Sequence, residues 1–214
     1  MKYVDPDGRT SYNISSSGDI SEIEGTQDDP TDTFYLVDNN NEPVTTKNPD
    51  GTSSPASVTY DKGVVKDVDT KAGTIELCSN KDGCNLFKMI TDNTSVEWLL
   101  LETIDMEEGG ETSFLHTSKN HSKVSNLNLP DKYNIVRSSH NHPGGKIEPS
   151  GGWDVYKQAD TPKGELTLTD RAGEWGDIGT ARKVVKRNSK LGYNTPKFRI
   201  YTKNEGYIDY GPNR

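Results

Sequence analysis

The sequence is organised around residues 133–145, which spell YNIVRSSHNHPGG. The first eight of these residues alternate in the manner of a β-strand. His140 and His142 stand at the end of this strand, and side chains at positions i and i+2 of a strand point to the same face. Pro143 and two glycines follow and let the backbone turn away. Two imidazoles placed in this way can bind one metal ion, although the pair alone equally suits two surface histidines.

The most apolar run of the chain lies upstream, at residues 96–101 (VEWLLL). Its length predicts a buried strand, and residues 112–117 are predicted as its hairpin partner. Glu97 falls inside the run, where an unpaired carboxylate is costly. Asp177 occupies the N-cap position of a helix predicted over 178–191. Asp177 can therefore complete a site of two histidines and one aspartate with an open position for water, the arrangement of a catalytic zinc.

The remaining patterns predict an α+β fold, a mixed sheet flanked by at least two helices with the site at strand and helix ends. Residues 85–90 have helical spacing, and 198–201 and 207–210 are predicted strands. Residues 1–55 are dense in turn signals and indicate either short hairpins or an acidic linker, without a core of its own. We therefore predict a boundary between this segment and a functional domain at 56–214. The acidic residues downstream of the apolar run are expected in a solvated turn: Glu102, Glu107, Glu108 and Glu111.

Charge and hydropathy exclude several classes of protein. The net charge of −8 arises in residues 1–50, which carry 11 acidic and 3 basic side chains, whereas residues 51–214 carry 22 of each. A neutral functional domain argues against binding nucleic acid by bulk electrostatics. No apolar run approaches the roughly 20 residues of a membrane span, and the start lacks the apolar segment of a signal peptide. Cys78 and Cys84 are too few for a disulfide scaffold and are expected to be reduced.

Several of these residues together resemble the sequence motif of a known family. Glu97, a His-x-His-Pro sequence ending a strand, a serine and an aspartate opening a helix form the pattern of JAMM-type (MPN-fold) zinc metalloproteases. Residues 138–145 together with Pro149-Ser150-Gly151 resemble, more narrowly, the JAB-like toxin domains of bacterial polymorphic toxins. The resemblance covers roughly residues 84–210 and implies a JAMM/MPN-like domain with cytidine-deaminase-like layers.

A second resemblance lies at the start of the chain. Residues 3–9, YVDPDGR, resemble the end of an Rhs-type core, where a large carrier stops and the variable toxin begins. Such carriers are typically delivered by contact-dependent secretion, often type VI. The resemblance implies an Rhs-type carrier upstream and delivery of the toxin into a target cell.

The resemblance to the metalloproteases also implies roles for individual residues. His140 and His142 would be zinc ligands, and a zinc-activated water would attack an amide bond. Glu97 would act as general base and then general acid, with a pKa raised by its desolvated position. Ser150 would help to hold the oxyanion of the tetrahedral intermediate.

The third ligand departs from the family pattern, which places aspartate three residues after serine. Asp154 stands four residues after Ser150, and Asp177 stands at the start of the long helix. We expect Asp177 to be the ligand, because a ligand needs a rigid element beneath it. Residues 144–176 would then be an insertion that can cover the cleft.

These observations predict a zinc-dependent peptidase or isopeptidase acting as a delivered effector toxin. Its expected partners are a cognate immunity protein, a protein or peptide substrate and the Rhs-type carrier, with no nucleic acid and no membrane among them. Two alternatives stay open at this point. One is a binding module that kept the fold and lost catalysis, and the other is a metal-dependent nuclease toxin.

Overall fold

The computed structural model describes residues 10–26, 29–47, 50–124, 127–150, 156–158, 166–168 and 176–212. Within these ranges, the strands before the first helix are β1 (Ser11–Ser15), β2 (Ile20–Glu22), β3 (Thr31–Val37), β4 (Thr45–Lys47), β5 (Ser53–Pro55), β6 (Ser57–Asp61), β7 (Val65–Asp69) and β8 (Thr74–Leu77). Helix α1 (Asn80–Thr91) follows, and then β9 (Trp98–Asp105), β10 (Glu111–Thr117), β11 (Tyr133–Asn141), β12 (Tyr156–Gln158) and β13 (Leu166–Leu168). Helix α2 (Gly176–Lys190), β14 (Lys197–Thr202) and β15 (Gly206–Tyr210) complete the described chain.

The central sheet explains the apolar run of the sequence. In the described residues its strand order is β15-β14-β11-β9-β10-β8-β7, so β9 lies in the middle. Trp98 and Leu100 pack into one hydrophobic cluster with α1, whereas Leu99 and Leu101 pack into a second cluster with α2. A strand covered on both faces needs apolar residues at successive positions rather than at alternate ones.

Helix α1 begins at a cap that the sequence supplies. The Ser79 side chain accepts a hydrogen bond from the backbone N–H of Asp82, which satisfies one of the free donors of the first turn. The helix then buries Leu86, Phe87 and Ile90 against the sheet. Gly83 permits this close approach, because a Cβ at that position would lie 2.1 Å from Ser113 Oγ on β10.

Helix α2 covers the opposite face of the sheet and lies in sequence between β11 and β14, which pair in parallel. Ala181 and Val184 of α2 pack with Leu99 and Phe198 in the second cluster. Strand β15 then pairs antiparallel with β14 and forms an edge of the sheet. The antiparallel pairing of β9 with β10 confirms the predicted hairpin.

The N-terminal residues form a smaller sheet with the order β2-β1-β3-β6. The sequence predicts short hairpins here; β1–β2 and β4–β5 are antiparallel pairs, but β1 and β3 pair in parallel. Tyr12 and Phe34 stack with ring centroids 5.2 Å apart. Both belong to the same hydrophobic cluster as Phe87 and Trp98. The small sheet therefore shares its core with the face of the central sheet that carries α1.

The α+β class, with mixed sheets and two helices in the described residues, fits the fold predicted from the sequence. The cytidine-deaminase-like layering and the boundary at residue 55 stay predictions. In the described part of the chain, no helix combines the length and apolarity that a membrane-spanning helix requires.

The expectation for Glu102 is wrong. Its side chain lies on β9 and is 4% exposed, rather than in a solvated turn. Its two carboxylate oxygens accept hydrogen bonds from Arg137 Nη1 at 2.5 Å and from Arg199 Nη2 at 2.8 Å. The two arginines come from β11 and β14, so this ion network ties together the three strands around the predicted site.

Candidate metal centre

His140 and His142 lie side by side at the end of β11, as their spacing predicts. Their Nε2 atoms are 3.0 Å apart. The Nδ1 atom of His142 is 2.8 Å from the carbonyl oxygen of Lys146. Because a carbonyl oxygen only accepts hydrogen bonds, Nδ1 carries a proton, so the neutral form of the ring has its lone pair on Nε2. This is the tautomer that a metal ligand requires, and the carbonyl also fixes the ring orientation.

Asp177 brings a carboxylate to the two imidazoles from the first turn of α2. Its Oδ1 atom is 3.1 Å from His140 Nε2, and its Oδ2 atom is 3.4 Å from His142 Nε2. Two imidazole nitrogens and one carboxylate oxygen, one atom from each residue, lie within 4.8 Å of one another. This donor set could therefore hold a single metal ion.

Ser150 holds Asp177 in place through reciprocal hydrogen bonds. The backbone N–H of Ser150 donates to Asp177 Oδ2 at 2.6 Å, and the backbone N–H of Asp177 donates to Ser150 Oγ at 3.2 Å. The backbone N–H of Ile178 also donates to the Ser150 carbonyl oxygen at 3.1 Å. Ser150 thus caps the start of α2 and orients the carboxylate, a supporting contact typical of metal ligands.

Glu97 immediately precedes β9 and is buried beside the three donor residues. Burial raises the pKa of its carboxyl above the usual value, and the nearby Asp177 carboxylate adds to this effect. His140, His142 and the backbone N–H of Val124 oppose the shift without cancelling it. The sequence-based expectation of a raised pKa for Glu97 therefore agrees with its position.

The pKa values of Asp177 and His142 are shifted by the contact between these two side chains. Burial alone would raise the pKa of Asp177, but its hydrogen bonds with His140 and His142 hold that pKa far below the usual range. Burial likewise acts to lower the pKa of His142, yet hydrogen bonding to Asp177 and to the Lys146 carbonyl raises it overall. In the absence of metal, Asp177 is therefore ionised and favours a protonated His142.

His140, Asp177 and Glu97 line one cavity of about 400 Å³. Leu99 and Tyr210 line it with apolar surface, and the His140 and Tyr210 rings meet edge to face at 6.1 Å. The other lining residues come from the loop before β11, from within β11, from the chain that follows it and from the start of α2: Ser122, Lys123, Val124, Ser138, Ser150, Gly176 and Thr180. The cavity thus has room for a ligand beside the metal-facing atoms.

The family comparison agrees with this geometry. The sequence profile of the family described as JAB-like toxin 1 matches residues 75–182, just over half of the chain. The chain belongs to this family. Membership indicates a toxin that acts in target cells, and the JAB-like type points to a hydrolase that uses a metal. No curated protein and no solved structure matches the chain significantly.

The matched range of this JAB-like toxin contains all the residues that the sequence analysis assigned to the site. It begins in β8 and ends within α2. The small N-terminal sheet and the strands β14 and β15 lie outside it, although β14 pairs with the histidine-bearing strand. The structure therefore adds elements to the toxin domain that the family match does not cover.

The structure brings His140, His142, Asp177, Glu97 and Ser150 together, and their catalytic roles stay predictions. Asp154, the competing candidate for the third ligand, lies outside the described residues, as does the predicted Rhs junction at residues 3–9. Most of the predicted insertion at 144–176 also lies outside them. The aromatic wall formed by Tyr210 carried no signal in the sequence, because strand β15 reaches the cavity only through the tertiary pairing with β14.

Proposed function

We propose that this JAB-like toxin is a zinc-dependent peptidase or isopeptidase. The observation that carries the proposal is the convergence of His140, His142 and Asp177, with Glu97 lining the same cavity as His140 and Asp177. Two nitrogen donors and one oxygen donor from the protein leave a fourth tetrahedral position open, which is the coordination of a catalytic rather than a structural zinc. Bound there, zinc would supply a Lewis acid that makes an attacking water acidic and polarises the amide carbonyl.

Glu97 serves as the proton carrier in this proposal. A carboxyl group whose pKa is raised by burial accepts a proton from the attacking water and returns it to the leaving amine more readily than one of ordinary pKa. Among the described residues that line this cavity, the basic ones are His140 and Lys123. A cavity with so little positive charge suits a peptide better than a polyanionic nucleic acid.

Ser150 is proposed as a donor to the developing oxyanion. Its oxygen already accepts a hydrogen bond from the backbone N–H of Asp177, so its own O–H proton is available to donate. Ser150 lines the same cavity as His140 and Asp177. A donor placed there would stabilise negative charge on the carbonyl oxygen of a bound amide.

The biological setting extends the same proposal. As a toxin, the domain would be carried by an upstream Rhs-type core, the end of which residues 3–9 resemble, and delivered by a specialised secretion system such as type VI. A cognate immunity protein would bind the toxin and block its cavity in the producing cell. The substrate would be a protein or peptide of the target cell.

The test combines metal content with growth inhibition in cells that express the protein. We expect the purified wild type to carry about one zinc per chain, and His140→Ala to lose both the zinc and the inhibition. Glu97→Gln should retain zinc and weaken the inhibition by about 100-fold or more, since general acid–base catalysis contributes at least that much.

Two matched variants control for changes outside the cavity. His116 is half-buried beside Thr74, and Glu76 is a carboxyl whose pKa is also raised by burial. His116→Ala and Glu76→Gln should therefore leave metal content and inhibition unchanged. A zinc-loaded Glu97→Gln protein as toxic as the wild type contradicts the proposal, and loss of cellular nucleic acid with intact protein indicates the nuclease alternative.

A further inference from the structure

Asn141, the residue between the two histidines, is 2% exposed and points to the opposite face of β11. Its side chain bonds to the backbone on both sides of Glu97. The Oδ1 atom accepts a hydrogen bond from the N–H of Trp98 at 2.6 Å, and the Nδ2 atom donates to the carbonyl oxygen of Val96 at 3.3 Å. Because an N–H only donates and a carbonyl only accepts, this orientation of the amide is the one that satisfies both groups.

These two bonds replace main-chain pairing where it stops. The register of β9 with β11 ends at the pair Leu99 and His140, so the chain before Leu99 has no further strand partner on that side. The backbone of Glu97 itself is held by other contacts: its N–H donates to the Asn120 carbonyl, and its carbonyl accepts from Thr117 Oγ1, each at 2.9 Å. Asn141 therefore supplies the link between the Glu97 segment and the strand that carries the histidines.

We propose that Asn141 is a positioning residue that fixes Glu97 relative to His140 and His142. This inference rests on the proposed function, in which Glu97 acts together with the site formed by His140 and His142. A short side chain with one acceptor and two donors is needed to reach both backbone groups from one Cα. Leucine has a similar size but makes neither bond, and aspartate can keep only the bond from the Trp98 N–H.

The chain contains a matched control for this contact. Asn80, at the start of α1, is also buried and also bonds to backbone N–H and carbonyl groups of β9. Its Oδ1 atom accepts from the N–H of Thr103 at 3.3 Å, and its Nδ2 atom donates to the Thr103 carbonyl at 3.2 Å. Asn80→Leu therefore removes the same kind of contact from the far end of the same strand.

The experiment compares Asn141→Leu, Asn141→Asp and Asn80→Leu with the wild type. Zinc affinity is measured by competition with a chelating dye, amide hydrogen exchange is followed at Trp98, and growth inhibition is titrated against the amount of folded protein. We expect Asn141→Leu to bind zinc within about threefold of the wild type and to speed exchange at Trp98 at least tenfold. Its inhibition should fall about 100-fold, the effect of displacing a reacting group by about 1 Å. Asn141→Asp should recover part of that loss.

A double variant separates positioning from a general loss of structure. If Asn141 acts through Glu97, adding Asn141→Leu to Glu97→Gln should reduce inhibition no further, whereas a structural defect lowers both backgrounds alike. Unchanged exchange at Trp98, loss of zinc binding, or a deficit no larger than that of Asn80→Leu would overturn the inference. A wild type that binds zinc and is as inert as Glu97→Gln instead refutes the proposed function, so the two failures are distinguishable.

Discussion

The buried carboxylate Glu102 offers the sharpest test of how the sheet is held together. We consider the substitution Glu102→Gln, which keeps the size of the side chain and removes its charge. In the native protein the carboxylate oxygens face Arg137 and Arg199 separately. A glutamine presents one oxygen and one NH₂ group, so a donor would face one of the two guanidinium groups.

The magnitude of the loss follows from the exposure of the two arginines. Removing one partner of a buried ion pair costs about 3–5 kcal/mol, because the remaining charge stays buried without compensation. The Arg199 side chain is 14% exposed and stacks over the Tyr207 ring at 3.9 Å, so it cannot move into water easily. Arg137 is 34% exposed and recovers part of its hydration. We therefore expect the free energy of unfolding to fall by about 3 kcal/mol, the lower end of the range.

Urea denaturation followed by circular dichroism measures this loss. With a denaturant slope of about 2 kcal/mol/M, the midpoint should fall by about 1.5 M. Glu108→Gln is the control, since that side chain is 75% exposed and its ion pair is long, with 4.0 Å between Glu108 Oε1 and Lys132 Nζ. Its effect should stay within about 0.5 kcal/mol. Equal midpoints for the two variants would refute the claim that the Glu102 network stabilises the sheet.

The zinc-free protein should be most stable between about pH 4 and pH 6.5 as far as His142 and Asp177 are concerned. The raised pKa of His142 adds stability that is lost as the pH rises through the pKa of the folded state, and the lowered pKa of Asp177 adds stability that is lost as the pH falls below the pKa of the unfolded state. Thermal unfolding in the presence of a chelator, measured across this pH range, checks both limits. A melting temperature that does not change with pH contradicts them. Gly18→Ala should cost about 2–3 kcal/mol, because its Cβ would lie 2.7 Å from Val96 Cγ2 beside Glu97, in addition to the strain at its positive φ. Gly25→Ala has a similar φ and open space around it, so urea denaturation should give about 1–2 kcal/mol there, and equal losses would argue against contact between the small sheet and the Glu97 segment.

Local patterns in the sequence predicted the parts of the fold that depend on neighbouring residues. The apolar run before Leu101 indicated the central strand, and the spacing of His140 and His142 placed both rings on one face. The start of α2 was predicted near Asp177 from capping and periodicity. For α1 the apolar spacing indicates only residues 85–90, because the capping residue Ser79 lies outside that spacing.

Contacts between distant residues were not accessible in this way. Glu102 appeared as one more acid in an acidic stretch, and its arginine partners stand 35 and 97 residues further along the chain. The parallel pairing of β1 with β3 likewise depends on a tertiary core that no short-range pattern reveals. Asn141 was visible only as the residue between two histidines, since its partners belong to another strand.

The contact of Ser150 with the first turn of α2 also bears on how such sites can diversify. Ser150 and the first turn of α2 are distant in sequence, and three hydrogen bonds join them. The entropy of closing a loop grows only with the logarithm of its length, so each doubling costs about 0.6 kcal/mol. Relatives can therefore gain or lose residues between the serine and the aspartate at little thermodynamic cost. Recognition of this site in other chains should rely on the contact between the two residues rather than on their separation in sequence.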